Sequence, residues 1–217
     1  MRLQHMTVAS FVDQLSAGTS SPGGGSVAAL CGALASALGG LVARLTRSKE
    51  GYNHVWPDME HIRDKTTVFA ERFLYLMEED VQAYASFLET GHLPTETPEE
   101  EDIRDHFREQ TMKKAVVVPL EVLRCCRDVV PLLRDVAALG CRVAVNDAIT
   151  GLALIRGTVV SSCLTAITNL ALLSDEEFCA SVRDEALSLM YDLNMEIDRT
   201  LENYLKALVG HSQETLP

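Results

Sequence analysis

Apolar residues along this chain recur every three or four positions, and no stretch alternates apolar with polar over a strand's length. The pattern predicts helix after helix. A short one opens after Thr7, whose hydroxyl is placed as N-cap, and runs to about Leu15. The second spans Ser26 to about Ser48, and Gly51 breaks the run. A long amphipathic helix begins at Pro57 and ends near Gly91, with an apolar stripe through Ile62, Thr66, Phe69, Phe73, Leu76, Tyr84 and Phe87. Thr97, Pro98 and Glu100 spell the next start as N-cap, first-turn proline and reciprocal capping glutamate. That helix runs to Gly140, and Pro119 and Pro131 are expected to kink or break it. Asp147 is placed to cap a very apolar helix from about Ala148 to Leu173. Ser174 with Glu177 forms a second capping box before the last helix.

Helices 26–48 and 148–173 are apolar nearly all round, which predicts a central place with amphipathic helices outside. Both carry small residues at every fourth position: Ala28, Gly32, Ser36 and Gly40 in the first, Ala153, Gly157, Ser161 and Thr165 in the second. Bare ridges let helices approach closely, so the two are expected to meet at the heart of a bundle. The first also carries an opposite, bulky ridge of Leu30, Leu34, Leu38, Leu41 and Leu45. The expected fold is all-α, a bundle of long helices around two central apolar ones, in one domain over residues 1–217. Wide apolar faces on long helices favour a homodimer.

The run PGGGS at 22–26 leads straight into helix 26–48. Glycine lets a ligand come close to the main chain. The first helical turn offers unpaired N–H groups and the positive end of the helix dipole. The loop therefore suits an anion or a polar ring edge, with Ser26 as the natural N-cap.

Composition narrows the classes. With 19 Lys and Arg against 31 Asp and Glu the net charge is −12, which argues against generic nucleic-acid binding. Arg44, Arg47 and Lys49 gather at a helix C-terminus, either complementing its dipole or forming a local basic site. The six cysteines include no C-x-x-C pair and the histidines no H-E-x-x-H, so no metal site is expected. Cysteines in apolar runs suit a reducing, cytoplasmic setting. The N-terminus lacks the apolar segment of a signal peptide. Residues 14–43 carry no charge, which raises a membrane question. Their Gly, Ala and Ser content and two-faced pattern suit a buried helix better.

Four polar residues break the apolar pattern. Asp80 falls on the stripe of helix 57–91, where a carboxylate is costly unless paired or functional. Partial burial would raise its pKa and suit it to general acid–base work; a boundary or helix-bending role is the alternative. Asp147 is the only acid between Asp135 and Asp175, and as a cap it needs no chemistry. Arg156 is the lone charge between Asp147 and Asp175 and fits a snorkelling arginine of a bundle. Asn169 extends the small row of its helix, placed for a hydrogen bond across the core or for a ligand.

The segments SFVDQLSAGTSSPGGGSVAAL at 10–30, LT-x4-GY at 45–52 and EEDVQAY at 78–84 resemble the formiminotetrahydrofolate cyclodeaminase family, which also includes methenyltetrahydrofolate cyclohydrolases. LPTETPEEED at 93–102, VVVPLEVL at 116–123, and ND with ITNL at 146–170 carry the resemblance along nearly the whole chain. It implies an all-helical subunit that dimerises and binds a folate near the glycine loop. It implies Asp80 and Asp147 as catalytic acids, and Pro22, Gly23, Gly24, Gly25, Ser26, Lys49, Tyr52 and Asn169 as substrate contacts. The implied chemistry acts on the one-carbon unit between folate N5 and N10. In cyclodeamination N10 attacks a 5-formimidoyl carbon and ammonia leaves; in cyclohydrolysis water attacks the methenyl carbon and the ring opens. Neither route calls for a metal or a redox cofactor, a tetrahydrofolate derivative being the substrate.

Some positions depart from the family pattern. Thr95 stands where lysine is usual, Cys141 and Thr165 where asparagine is usual, and Asn146 where serine is usual. These departures keep a second reading open, a lapsed member that binds a folate or another ligand as a helical dimer. A third reading, a membrane-associated helical protein, rests on the charge-poor runs alone.

Overall fold

The structure is a computed structural model and describes residues 2–214, with side chains through Val209. Thr7 accepts the Ser10 N–H at 3.1 Å and opens α1, Val8–Ser16, as the sequence predicts. Helix α2, Gly24–Arg47, starts two residues ahead of the expected point. Its N-cap is Gly23, so Ser26 is not the cap; it lies inside the first turn with its hydroxyl available to another partner. Gly51, at φ +86°, turns the chain toward α3, Trp56–Glu89.

The capping box at Thr97 forms as read: the Glu100 N–H reaches Thr97 Oγ1 at 3.2 Å and the Thr97 N–H reaches Glu100 Oε2 at 3.1 Å. It opens α4, Pro98–Leu139, which runs through both Pro119 and Pro131 without breaking. Helix α5, Val145–Leu170, is capped at Ala144, so Asp147 is a first-turn acid and not the N-cap. Before α6, Glu176–Glu214, Asp175 accepts the Phe178 N–H at 3.0 Å in place of the expected Ser174–Glu177 box. The Lys113 ammonium, 2.5 Å from the other Asp175 oxygen, fixes that carboxylate as the cap.

Helix α2 packs against α3, α4 and α5, and α4 also touches α3, α5 and α6. The larger core gathers Phe73, Leu123, Leu133, Leu152, Ile155 and Ile197. A second apolar cluster, with Val42, Met59, Ile62, Val136 and Ala148, closes the other end.

At Gly32 and Gly40 the small ridge of α2 is filled by α3, while at Ala28 the same ridge meets α5 as expected. A methyl group added to Gly32 would lie 2.7 Å from the Phe73 ring, and one on Gly39 would lie 3.2 Å from the Thr66 methyl. Gly25 meets Asp80 in the same way. The glycines rise by seven as their partners fall by seven, so α2 and α3 run antiparallel in a fixed register. Helix α5 meets α2 with Gly151 beside the Ala35 carbonyl and Thr158 Oγ1 donating to the Ala28 carbonyl at 3.1 Å.

The expectation that α2 and α5 are wholly enclosed therefore needs correcting. Ala153 and Gly157 of the α5 row are exposed. So is much of the leucine row of α2, with Leu34 49% and Leu41 40% exposed. Each helix has more apolar positions than the chain itself covers, which is why both read as apolar all round.

Candidate functional site

The glycine loop, the first turn of α2 and the C-terminal half of α3 enclose a cavity of about 150 Å³. Ser20, Ser21, Gly23 and Gly25 form one wall, Asp80 and Tyr84 of α3 the second, and Ala115 of α4 with Thr165 and Asn169 of α5 the rest. Four separate stretches of sequence meet here because the antiparallel register of α2 and α3 carries Asp80 to the glycine end.

Asp80 occupies the position that Phe73 and Thr66 take one and two heptads earlier along α3. It lies over Gly25, where a methyl group would come within 2.8 Å of the carboxylate carbon. The Ser26 hydroxyl donates to Asp80 Oδ2 at 2.8 Å, and Ser26 is fully buried. Burial pushes the Asp80 carboxyl above the usual aspartate range, and the Ser26 hydroxyl and N–H draw it partly back. A carboxyl in this state holds or releases a proton closer to neutrality than a solvated aspartate does.

Asn169 is tied down by its own amide, whose Nδ2 donates to the Ala115 carbonyl at 2.9 Å. Its oxygen is left for a partner in the cavity. Thr165 donates back to the Ser161 carbonyl at 2.9 Å, within its own helix. Pro22 is buried behind the glycine loop, its peptide bond with Ser21 is cis, and Gly24 is exposed at the rim.

The remaining candidates lie elsewhere. Lys49 and Tyr52 follow the C-terminus of α2, about 35 Å of helix away from Gly24. Lys49 is exposed, and the Tyr52 hydroxyl accepts the Arg142 N–H at 3.3 Å. Asp147, at the start of α5, is about 27 Å of helix from Thr165. The fold thus joins Pro22, Gly23, Gly24, Gly25, Ser26, Asp80 and Asn169, and leaves Lys49, Tyr52 and Asp147 at the opposite end. The basic cluster there is engaged locally: Arg44 reaches Thr67 and Arg47 reaches Glu60, each at 3.3 Å. Arg156 pairs with Asp198 of α6 at 2.8 Å.

Tyr84 and Thr165 were not picked out as site residues by sequence reasoning, although each carried a signal. Tyr84 follows Asp80 by one helical turn, and Thr165 precedes Asn169 by one. Ser20, Ser21 and Ala115 carried none. A larger groove of about 450 Å³ lies between α3 and α4, lined by Gln82, Ala83, Ser86, Lys114 and Val118 among others, but Asp80 does not reach it. Among the described residues, no group of three or more His, Cys, Asp or Glu is arranged to hold a metal ion.

Known proteins resemble this chain in sequence and in fold. The chain is 29% identical over 200 residues to the methenyltetrahydrofolate cyclohydrolase of Methylorubrum extorquens, a match covering 91% of this chain and 96% of that protein. It is 25% identical over 200 residues to the formimidoyltransferase-cyclodeaminase of Sus scrofa, covering 92% of this chain but 37% of that longer protein. Its fold is that of the formiminotetrahydrofolate cyclodeaminase of Thermotoga maritima, with a TM-score of 0.79, 24% identity, and coverage of 94% of this chain and 99% of the other. Residues 7–188, which include the glycine loop, Asp80 and Asn169, match the family model described as formiminotransferase-cyclodeaminase, and the chain belongs to that family.

Proposed function

We propose that this chain acts on the one-carbon unit of a reduced folate, as a methenyltetrahydrofolate cyclohydrolase or a formimidoyltetrahydrofolate cyclodeaminase, with Asp80 as general acid–base. The observation that carries the reading is the half-buried Asp80 carboxyl on the wall of a glycine-lined cavity. Cyclohydrolysis is placed first on sequence identity, which is 29% to the cyclohydrolase against 25% and 24% to the two cyclodeaminase proteins described above.

In that reaction Asp80 takes a proton from water as the water oxygen bonds to the methenyl carbon. The tetrahedral carbon then collapses: its bond to N5 breaks, Asp80 returns a proton to N5, and the hydroxyl proton leaves to solvent. The product is the 10-formyl folate. In the deaminase reaction the same carboxyl would serve attack by N10 on the formimidoyl carbon and departure of ammonia. Proton transfer of this kind contributes roughly 10²–10⁴-fold, and holding the carbon beside its attacker supplies much of the rest. The reading needs no cofactor beyond the folate substrate.

The cavity is smaller than the roughly 300–1,000 Å³ of a typical small-molecule site, so it would seat the reacting end of a folate and not the whole molecule. The uncovered leucine row of α2 and small row of α5 suit a second copy. In an antiparallel homodimer the Lys49, Tyr52 and Asp147 end of one protomer would approach the cavity of the other, and so complete the substrate site. The six free cysteines fit the reducing cytoplasm as the setting.

The test is spectroscopic. Purified protein should speed the loss of the near-ultraviolet band of 5,10-methenyltetrahydrofolate over buffer, or speed its growth from the 5-formimidoyl compound. Asp80→Asn should lower either rate by about 10²-fold or more. If neither rate responds while a folate still raises the melting temperature, the ligand-binding dimer reading replaces this one.

A further inference from the structure

We infer that Ser26 is a positioning residue and not a substrate contact: its hydroxyl holds Asp80 Oδ2 in place and thereby turns Oδ1 toward the reacting group. The inference rests on the reading of Asp80 as the acid–base group.

The hydroxyls buried in α2 fall into two kinds. Ser36 donates to the Gly32 carbonyl at 2.9 Å and Thr46 to the Val42 carbonyl at 2.7 Å, each one turn back in its own helix. Ser26 sits in the first turn, where the preceding residues are loop, and its proton goes instead to a residue 54 positions away. A hydroxyl has one proton to give, and here it is committed to Asp80 Oδ2. With no exposed surface, the Ser26 oxygen is also out of reach of a ligand in the cavity.

Oδ1 is the carboxylate atom nearest the bare face of Gly25, and among the described residues no side-chain donor engages it. The two oxygens are therefore unequal: Oδ2 takes the Ser26 hydroxyl, while Oδ1 lies over Gly25 at the cavity wall, and the Ser26 N–H adds a backbone donor to the carboxylate. The charged surroundings are simple. The walls supplied by α2, α4 and α5 carry no charged side chain, and Tyr84 on α3 is the other titratable group lining the cavity. Against the larger effect of burial, Ser26 is thus the side chain that lowers the proton affinity of Asp80, because a hydrogen bond to the charged form favours that form.

The measurement is a ¹³C NMR titration of the Asp80 carboxyl carbon, assigned by its absence in Asp80→Asn, alongside the pH profile of kcat/KM. Ser26→Ala should raise the Asp80 midpoint by about one pH unit, and the acidic limb of the profile should move with it. If Ser26→Ala does not fold, Ser26→Cys is read instead; its weaker donor should give a smaller rise in the same direction. An unchanged midpoint in a folded variant overturns the inference, as does a profile that loses height without moving along the pH axis. Failure of the acid–base reading is distinct: Asp80→Asn would then keep full turnover, whatever the titration of Asp80 does.

Discussion

Burial and hydrogen bonding pull the Asp80 carboxyl in opposite directions, and burial wins. A group whose folded-state pKa is raised contributes stability that is fully present below its unfolded value and is lost as the pH rises through the folded value. At neutral pH, then, an ionised Asp80 destabilises the fold. Asp80→Asn, whose amide oxygen can still accept from Ser26, should melt higher than the parent near pH 7 in calorimetry. The gain should shrink as the pH falls through the folded pKa, and disappear below the ordinary aspartate value. The oddity of Asp80 was legible because a carboxylate on an apolar stripe violates the pattern around it. Its partner was not legible, since Gly25 and Ser26 meet it only through the register of two helices.

Helix starts show where local reading succeeds. The Thr97–Glu100 box involves residues within one turn of each other, and it forms as written. Ser26, Asp147 and Ser174 failed as caps because Gly23, Ala144 and Asp175 took the cap positions, the first two without any side-chain contribution. Helix pairing was harder still. The small ridge of α2 announced a close neighbour, but not that α3 would fill it at Gly32 and Gly40 while α5 meets it at Ala28. The register predicts its own test. Gly32→Ala puts a methyl against the Phe73 ring, and both residues are buried. Overpacking should outweigh the roughly 1 kcal/mol gain in helix propensity and leave a net loss of up to about 2 kcal/mol. A lower urea midpoint with an unchanged slope would record it.

The molecule has two unlike ends, one with the cavity and one with Lys49, Tyr52 and Asp147, joined by helices whose outer faces are partly apolar. The all-helical architecture was legible from periodicity because helices of 24 to 42 residues give long runs of pattern. Which faces stay open was not, because apolar content fixes how much can be buried and not what covers it. Leu34→Glu together with Leu41→Glu should leave the protomer folded by circular dichroism and monomeric by light scattering. If the far end of a second copy completes the substrate site, that monomer should also lose turnover. Tolerance to changes in chain length follows from the stepping of glycines against Asp80, Phe73 and Thr66. The links at 48–55 and 171–175 lie outside the stepping, so a change of length there leaves that register in place while displacing Lys49, Tyr52 or the Asp175 cap. One residue inserted between Phe73 and Asp80 would rotate everything beyond it by about 100° and swing the carboxylate off Gly25. The spacing from 66 to 80 can therefore change only by a heptad matched in α2, since seven residues added to α3 alone would carry Asp80 about 10.5 Å past Gly25.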